Sequence, residues 1–241
     1  MINRIRVSVK KTFASIALLS FELLAALLLF IIALFAFAWF ANLIFNLQNE
    51  RFDFAVFDRL QALVSPAFTK FMLFVTFFGN HKFLIPANVI LIIYFLFIKR
   101  HKWYSIKVPV IAIGGVSIMF ILKQFFNRQR PLTPLLEPVK GLSFPSGHAL
   151  MSMSFYGLLI FLVWENVQHT VWKWVLTISL LLFIMLIGFS RIYLRLHYFS
   201  DVMAGFAGGI IWLSLSIWVI RKIERFSRKE IDPVIAEDTP L

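Results

Sequence analysis

An all-α bundle of about six membrane-spanning helices, with a candidate site at the outer helix ends, is the architecture this sequence predicts, and three observations predict it. Across 241 residues the hydrophobic share is 60% and the charged share only 15%, outside the balance of soluble globular domains. Apolar runs recur that can cross a hydrocarbon layer of roughly 30 Å, which takes about 20 helical residues. Short polar clusters at 123–131, 145–148 and 190–201 interrupt the chain where such runs meet water.

The first run, 16–45, is too long for a signal-peptide core and shows no small-residue cleavage site, so it reads as a retained helix. Glu22, near its start, is placed at the headgroup level. The segment 49–65 is amphipathic. The run 66–78 is too short to span alone, is broken by Gly79, Asn80, His81 and Lys82, and resumes over 83–98. A tilted interfacial helix leading into the second crossing fits that pattern. The third crossing covers 108–126, with Lys123 near its end, and the fourth, 148–164, is opened by His148. A short link, 165–170, leads to the fifth, 171–189, which ends at Ser190 and Arg191. His197 and Asp201 open the last, which runs to about 220. Each crossing reverses direction, so the exits of the third and fifth and the entries of the fourth and sixth face one compartment. The three polar clusters can therefore converge.

Gly205 and Gly209, four apart in the last crossing, form a small-residue face for close helix packing, and Gly114 and Gly115 form a weaker one in the third. Trp103, Trp164, Trp172 and Trp174 fall near inner boundaries, as aromatic belts do. No repeat or dividing linker is visible. Residues 1–229 read as one membrane-embedded domain and 230–241, acidic and Pro-containing, as a disordered cytoplasmic tail.

Lys and Arg are retained preferentially on the cytoplasmic side. With six crossings, one side carries Arg4, Arg6, Lys10, Lys11, Lys99, Arg100, Lys102, Lys107, Lys173, Arg221, Lys222, Arg225, Arg228 and Lys229, fourteen of the 24 basic residues. Both termini are therefore expected in the cytoplasm and the polar clusters on the outer face. The net charge of +12 is then mostly topology charge; nucleic-acid binding, which needs a water-exposed basic domain, is set aside. Absence of Cys removes disulfides, thiol nucleophiles and Cys-ligated metals.

His197 and Asp201 are four apart, so on a helix they share a face and the carboxylate reaches an imidazole nitrogen. That fixes the tautomer and leaves the other nitrogen for attack or proton transfer. Alone, the pair reads first as an ordinary helix start with Asp201 near the cap. Ser146, Gly147 and His148 stand where the fourth crossing begins and unsatisfied backbone N–H groups favour an anion, although Pro-Ser-Gly is also a plain turn. Gly147 permits close backbone approach. Lys123, Arg130 and Arg191 supply fixed positive charge: arginine forks suit phosphoryl oxygens and lysine adds a point charge, while each alone also reads as a snorkelling residue. Jointly, three cations, two histidines and a carboxylate on one side make an oxyanion site with a nucleophile and an acid.

These residues carry a family resemblance. Lys123, six residues, Arg130 and Pro131; Pro145, Ser146, Gly147 and His148; and Ser190, Arg191, five residues, His197, three residues and Asp201 resemble the tripartite signature of the type-2 phosphatidic acid phosphatase superfamily. Every motif position matches in order and spacing. The resemblance implies that His197 attacks phosphorus and forms a phosphohistidine, with Asp201 orienting it. It implies that His148 protonates the leaving group and then serves as base for water, and that Lys123, Arg130, Arg191, Ser146 and the Gly147 N–H hold the nonbridging oxygens. Phosphoryl transfer depends largely on positioning and charge stabilisation, so neither metal nor cofactor is expected; no His, Asp or Glu cluster has ligand spacing. The direction of the His197 pKa stays open, since Asp201 favours its protonated form and the cations oppose it.

A site at the membrane surface suits a lipid whose phosphate reaches the headgroup plane while its tails stay in hydrocarbon. The stretches 132–144 and 49–65 are expected to line its entrance, and His81 is a further headgroup candidate. The resemblance implies hydrolysis of a membrane lipid phosphate monoester or diphosphate at the outer face of a bacterial inner membrane. Phosphatidylglycerophosphate, phosphatidic acid, undecaprenyl diphosphate and lipid A all remain open. Two rivals stand beside it: a lipid phosphotransferase, which could use every residue named, and a non-enzymatic lipid-binding or transport protein, which would not require both His148 and His197. Vanadate-dependent haloperoxidases resemble the same motif set but are soluble, which this composition opposes.

Overall fold

The computed structural model describes residues 2–137 and 139–231, with side chains from 24 to 229. Among the described residues the regular structure is helical: α1 (Ile2–Phe45), α2 (Arg51–Leu60), α3 (Pro66–Phe77), α4 (His81–Ile93), α5 (Lys102–Phe126), α6 (Gly147–Asn166), α7 (Thr170–Tyr193) and α8 (Phe199–Phe226). Among the described residues six stretches are long and apolar enough to cross a membrane: Leu24–Phe45, Pro66–Ile98, Lys102–Phe126, Gly147–Asn166, Thr170–Tyr193 and Phe199–Lys229. They are the six predicted crossings. The helices run past the apolar windows because charged side chains at their ends, such as Lys102 and Arg225, extend the helix while their heads reach water. The side chain of Glu22 and residues 232–241 of the predicted tail lie outside the described residues.

The predicted break at Gly79 is present. Helix α3 opens on Ser65, whose Oγ accepts from the Phe68 N–H at 3.3 Å, followed by Pro66 at the first helical position. It ends at Phe77, and α4 restarts after Asn80, whose side chain accepts from the Lys82 N–H at 3.0 Å. Helix α3 lies against the C-terminal end of α7, where Thr69 Oγ1 and the Tyr193 hydroxyl stand 2.9 Å apart.

Helices α6 and α8 form the centre. Helix α6 packs against α5, α7 and α8, while α1 covers the far side of α8 and α4 lies beside α5. Ala149, Leu150, Leu158, Ile184, Ile187, Val202 and Ala204 are buried between them, whereas Leu28, Phe35, Ile113 and Leu182 face outward, as contact with hydrocarbon requires. At the opposite end from the polar clusters, Lys107 Nζ meets Glu224 Oε2 at 3.1 Å and Arg221 pairs with Glu165, joining the ends of α5, α6 and α8.

The glycine face of α8 sets the spacing of the central pair. A Cβ on Gly205 would stand 2.7 Å from the Ser146 carbonyl oxygen, and one on Gly209 2.8 Å from that of Leu150. Neither backbone oxygen can swing aside. Gly205→Ala is therefore expected to destabilise the protein by about 1–3 kcal/mol through overpacking, read as a lower thermal midpoint in mild detergent. An unchanged midpoint would show that α6 and α8 separate freely.

Candidate active site

The site forms where α5, α6 and α7 and the segments joining α5 to α6 and α7 to α8 meet at one end of the bundle. Helix α5 stops at Asn127, which takes the left-handed conformation (φ 47°) and returns its N–H to the Lys123 carbonyl at 2.9 Å. From there the chain passes through 128–146 and enters α6 at Gly147, behind Ser146. Helix α7 ends in a tight reversal: Arg195 is left-handed (φ 54°), and the Leu196 and His197 N–H groups donate to the Arg191 carbonyl at 3.1 and 3.3 Å. His197 thus sits in the link before α8, not on it.

Six of the eight candidate residues, Lys123, Arg130, Gly147, His148, Arg191 and His197, line one cavity of about 640 Å³. Lys123 Nζ donates to the carbonyls of Leu142 (2.6 Å) and Ser143 (3.3 Å), which pins the 128–146 segment beneath it. Arg130 Nη1 donates to the Leu196 carbonyl at 2.8 Å and stands 3.3 Å from His197 Nε2. Arg191, buried, donates to Thr76 Oγ1 at 2.9 Å. Ser146 and Asp201 are fully buried just behind the cavity wall, and the Ser146 N–H donates to the Asp201 carbonyl at 2.9 Å. Ser146 Oγ, His148 Nε2 and Arg191 Nε are buried and have no hydrogen-bond partner among the described residues.

Burial pushes His197 well below the ordinary imidazole pKa, and the nearby Arg130, Arg191 and Lys123 charges push it further. The direction left open by the sequence is downward, which favours the neutral ring with an unprotonated nitrogen.

The expected contact between His197 and Asp201 takes a different form. Because His197 precedes the helix, the i,i+4 geometry does not apply, and Nδ1 stands 3.6 Å from Asp201 Oδ2. Ser143 Oγ lies between them, 2.5 Å from Oδ2 and 3.3 Å from Nδ1. Asp201 also accepts the Tyr198 N–H at 2.9 Å, capping α8, and Arg128 Nη1 at 2.7 Å.

Arg128 and Asp53 belong to the site and were missed in the sequence. Arg128 is buried, lies over the Tyr198 ring at 4.0 Å, and joins Asp201 to Asp53 (2.9 Å) and Glu50 (3.1 Å). Asp53, on α2, accepts the N–H and hydroxyl of Ser200 at 2.9 and 2.6 Å. Segment 49–65 was expected to line the entrance; it contributes nothing to the cavity wall and instead buries Asp53 and Phe57. Its amphipathicity reports that buried face. From 132–144, Val139 reaches the wall, and His81 and Asn80, at the α3–α4 break, line it as well.

Comparison with known proteins settles the family. The model of the PAP2 superfamily matches residues 104–225, which hold all eight candidate residues. The chain belongs to the PAP2 superfamily. Its curated PAP2 relatives include phosphatidylglycerophosphatase B of Bacillus subtilis, 26% identical over 178 residues, covering 73% of this chain and 87% of that one. Undecaprenyl-diphosphatase of Sulfolobus acidocaldarius is 30% identical over 200 residues, covering 77% and 89%. Among crystal structures, the PAP2-type phosphatidylglycerolphosphate phosphatase of Bacillus subtilis superposes with a TM-score of 0.73 at 25% identity, covering 82% of this chain and 98% of that one. Aquifex aeolicus LpxE gives 0.54 at 25% identity, covering 68% and 94%. The chain is a multi-pass membrane PAP2 phosphatase, as the three motifs implied.

Proposed function

We propose that residues 1–229 form a membrane-embedded domain that hydrolyses a lipid phosphate monoester or diphosphate through a phosphohistidine on His197. His197 Nε2 attacks phosphorus, the bond to the leaving oxygen breaks, and His148 delivers the proton that oxygen needs. His148 then takes a proton from water, whose oxygen displaces the imidazole and releases inorganic phosphate. Lys123, Arg130 and Arg191 hold the equatorial oxygens with Ser146 and the Gly147 N–H; that Ser146 Oγ and Arg191 Nε are buried without a partner among the described residues supports this reading. Fixed cations supply the charge stabilisation that metal ions supply in other phosphoryl-transfer sites, so the reaction is proposed to be metal-independent.

One observation carries the lipid assignment: the cavity does not end at the charged cluster. It continues between α4 and α5 along Leu84, Ile85, Val89 and Ile92 on one side and Pro109, Ala112 and Ile113 on the other. From Lys123 to Pro109 is fourteen residues of helix, about 21 Å at 1.5 Å per residue. A phosphate at the cluster would leave its acyl or prenyl chain in that groove, within hydrocarbon. The phosphatidylglycerophosphatase and undecaprenyl-diphosphatase names of the relatives support lipid phosphates of those two kinds. The distribution of Lys and Arg supports an inner-membrane protein whose site faces outward.

Purified protein in detergent with excess chelator is expected to release phosphate from phosphatidylglycerophosphate, phosphatidic acid or undecaprenyl diphosphate. Activity that vanishes with chelator and returns with divalent ions would refute the metal-free mechanism. Phosphorylated product appearing only when an acceptor alcohol is added would make the protein a transferase.

A further inference from the structure

We propose that Ser143 is the positioning residue through which Asp201 fixes the tautomer of His197; the proposal rests on His197 as the attacking group. Asp201 cannot hold the ring directly, because 3.6 Å is beyond hydrogen-bond length and both acceptor positions of Oδ2, the oxygen nearer the ring, are occupied. Oδ2 takes Ser143 Oγ at 2.5 Å and the Tyr198 N–H at 2.9 Å, and Oδ1 takes Arg128 at 2.7 Å.

The Ser143 hydroxyl has one proton, and a 2.5 Å contact to a carboxylate is the length of a hydroxyl–carboxylate bond, so that proton points at Asp201. Toward His197 Nδ1, 3.3 Å away, the same oxygen can only accept. Nδ1 must then carry the ring hydrogen, which puts the lone pair on Nε2, the nitrogen beside Arg130. When the P–N bond forms at Nε2 the ring gains positive charge. The Nδ1–H bond to Ser143 strengthens, and the hydroxyl polarises toward the carboxylate; no proton is transferred along the chain. When water removes the phosphoryl group, the ring returns to neutral.

Ser143 is held to this task from three sides. It is fully buried, its N–H donates to the Arg128 carbonyl at 2.7 Å, and its carbonyl accepts from Lys123. Removing its hydroxyl leaves those backbone contacts in place.

The test combines phosphate release by wild type, Ser143→Ala, Asp201→Asn and the double variant with nitrogen-15 spectra of histidine-labelled protein, in which His197 is assigned by its loss in His197→Ala. Wild type is expected to show hydrogen on Nδ1; hydrogen on Nε2 would overturn the proposal without any variant. Ser143→Ala is expected to lower kcat about tenfold, the scale of one hydrogen bond to a charged group, and to raise the share of ring hydrogen on Nε2, with Arg130 beside Nε2 and the residue-143 carbonyl still favouring Nδ1. Ser143→Thr, which keeps the hydroxyl, should restore the fixed tautomer. In the Asp201→Asn background, Ser143→Ala should cost almost nothing further, because the two act as one unit. Losses that simply multiply, or an unchanged tautomer in Ser143→Ala, would refute it. Wild type with hydrogen on Nδ1 and no phosphate release from any lipid phosphate would sink the hydrolase assignment and leave this one standing.

Discussion

His197→Ala is expected to lower turnover by about 100-fold or more, the scale of losing a nucleophile, with the protein still folded. The ring is buried in the cavity wall, bonded through Ser143 on one side and facing Arg130 on the other, so its removal takes away the proposed attacking atom and leaves the cations in place. Substrate binding should persist. His148→Ala should be similarly slow, more so for a poor leaving group, if His148 supplies the proton that group needs as proposed. Turnover unchanged in either variant would cancel that residue's role. The pH profile gives a second reading. Burial first, then the Arg130, Arg191 and Lys123 charges, hold the His197 pKa below its ordinary value. The unprotonated nucleophile therefore survives acidification through the ordinary imidazole range near ~6.5. The acid limb of kcat/KM should lie below that range once the substrate phosphate's own ionisation at about 6 is allowed for. A limb at the unperturbed imidazole value would show that His197 is better solvated than its position implies.

Arg128→Ala is expected to be the most damaging substitution outside the motifs. Arg128 Nη1 serves Asp201 and Ser200 while Nη2 serves Asp53 and Glu50, so one guanidinium compensates two carboxylates that are at most 1% exposed. Removing one partner of a buried ion pair costs about 3–5 kcal/mol because the other charge remains. In a chain of this length that lowers the unfolding midpoint by on the order of 10 °C. Arg128→Lys should rescue little, since a point charge cannot reach both sides of the fork. Turnover should fall as well, because Asp201 would lose the ligand on Oδ1. A variant with wild-type melting and wild-type kcat would show that the network is decoration.

The crossings and the motif residues were legible in the sequence because both are written in local spacing. Apolar runs give the spans, and the order of Lys123, Arg130, His148, Arg191 and His197 along alternating helices places them at one end. Ser143, Arg128 and Asp53 were not legible. Their partners lie 54 to 147 positions away and on connecting segments, where no periodicity reports which way a side chain turns. Arg128 stands two residues before Arg130 and looks like one more basic residue of the same cluster. One signal was available: Asp53, an acidic residue four before Phe57 and so on the same face of an amphipathic segment, whose burial requires a cation. The displacement of His197 from the helix has the same origin. Four-residue spacing implies a shared face only after a helix has begun, and here it begins at Phe199.

With a lipid tail in the groove between α4 and α5, as proposed, the route of entry sets how substrate is encountered. A lipid that enters sideways never leaves its leaflet, so the search is two-dimensional and the rate follows crowding within the layer instead of the amount dispersed in the surrounding fluid. Enlarging the sheet of inert lipid or detergent around a fixed quantity of enzyme and substrate would then slow catalysis, although nothing in the protein had changed.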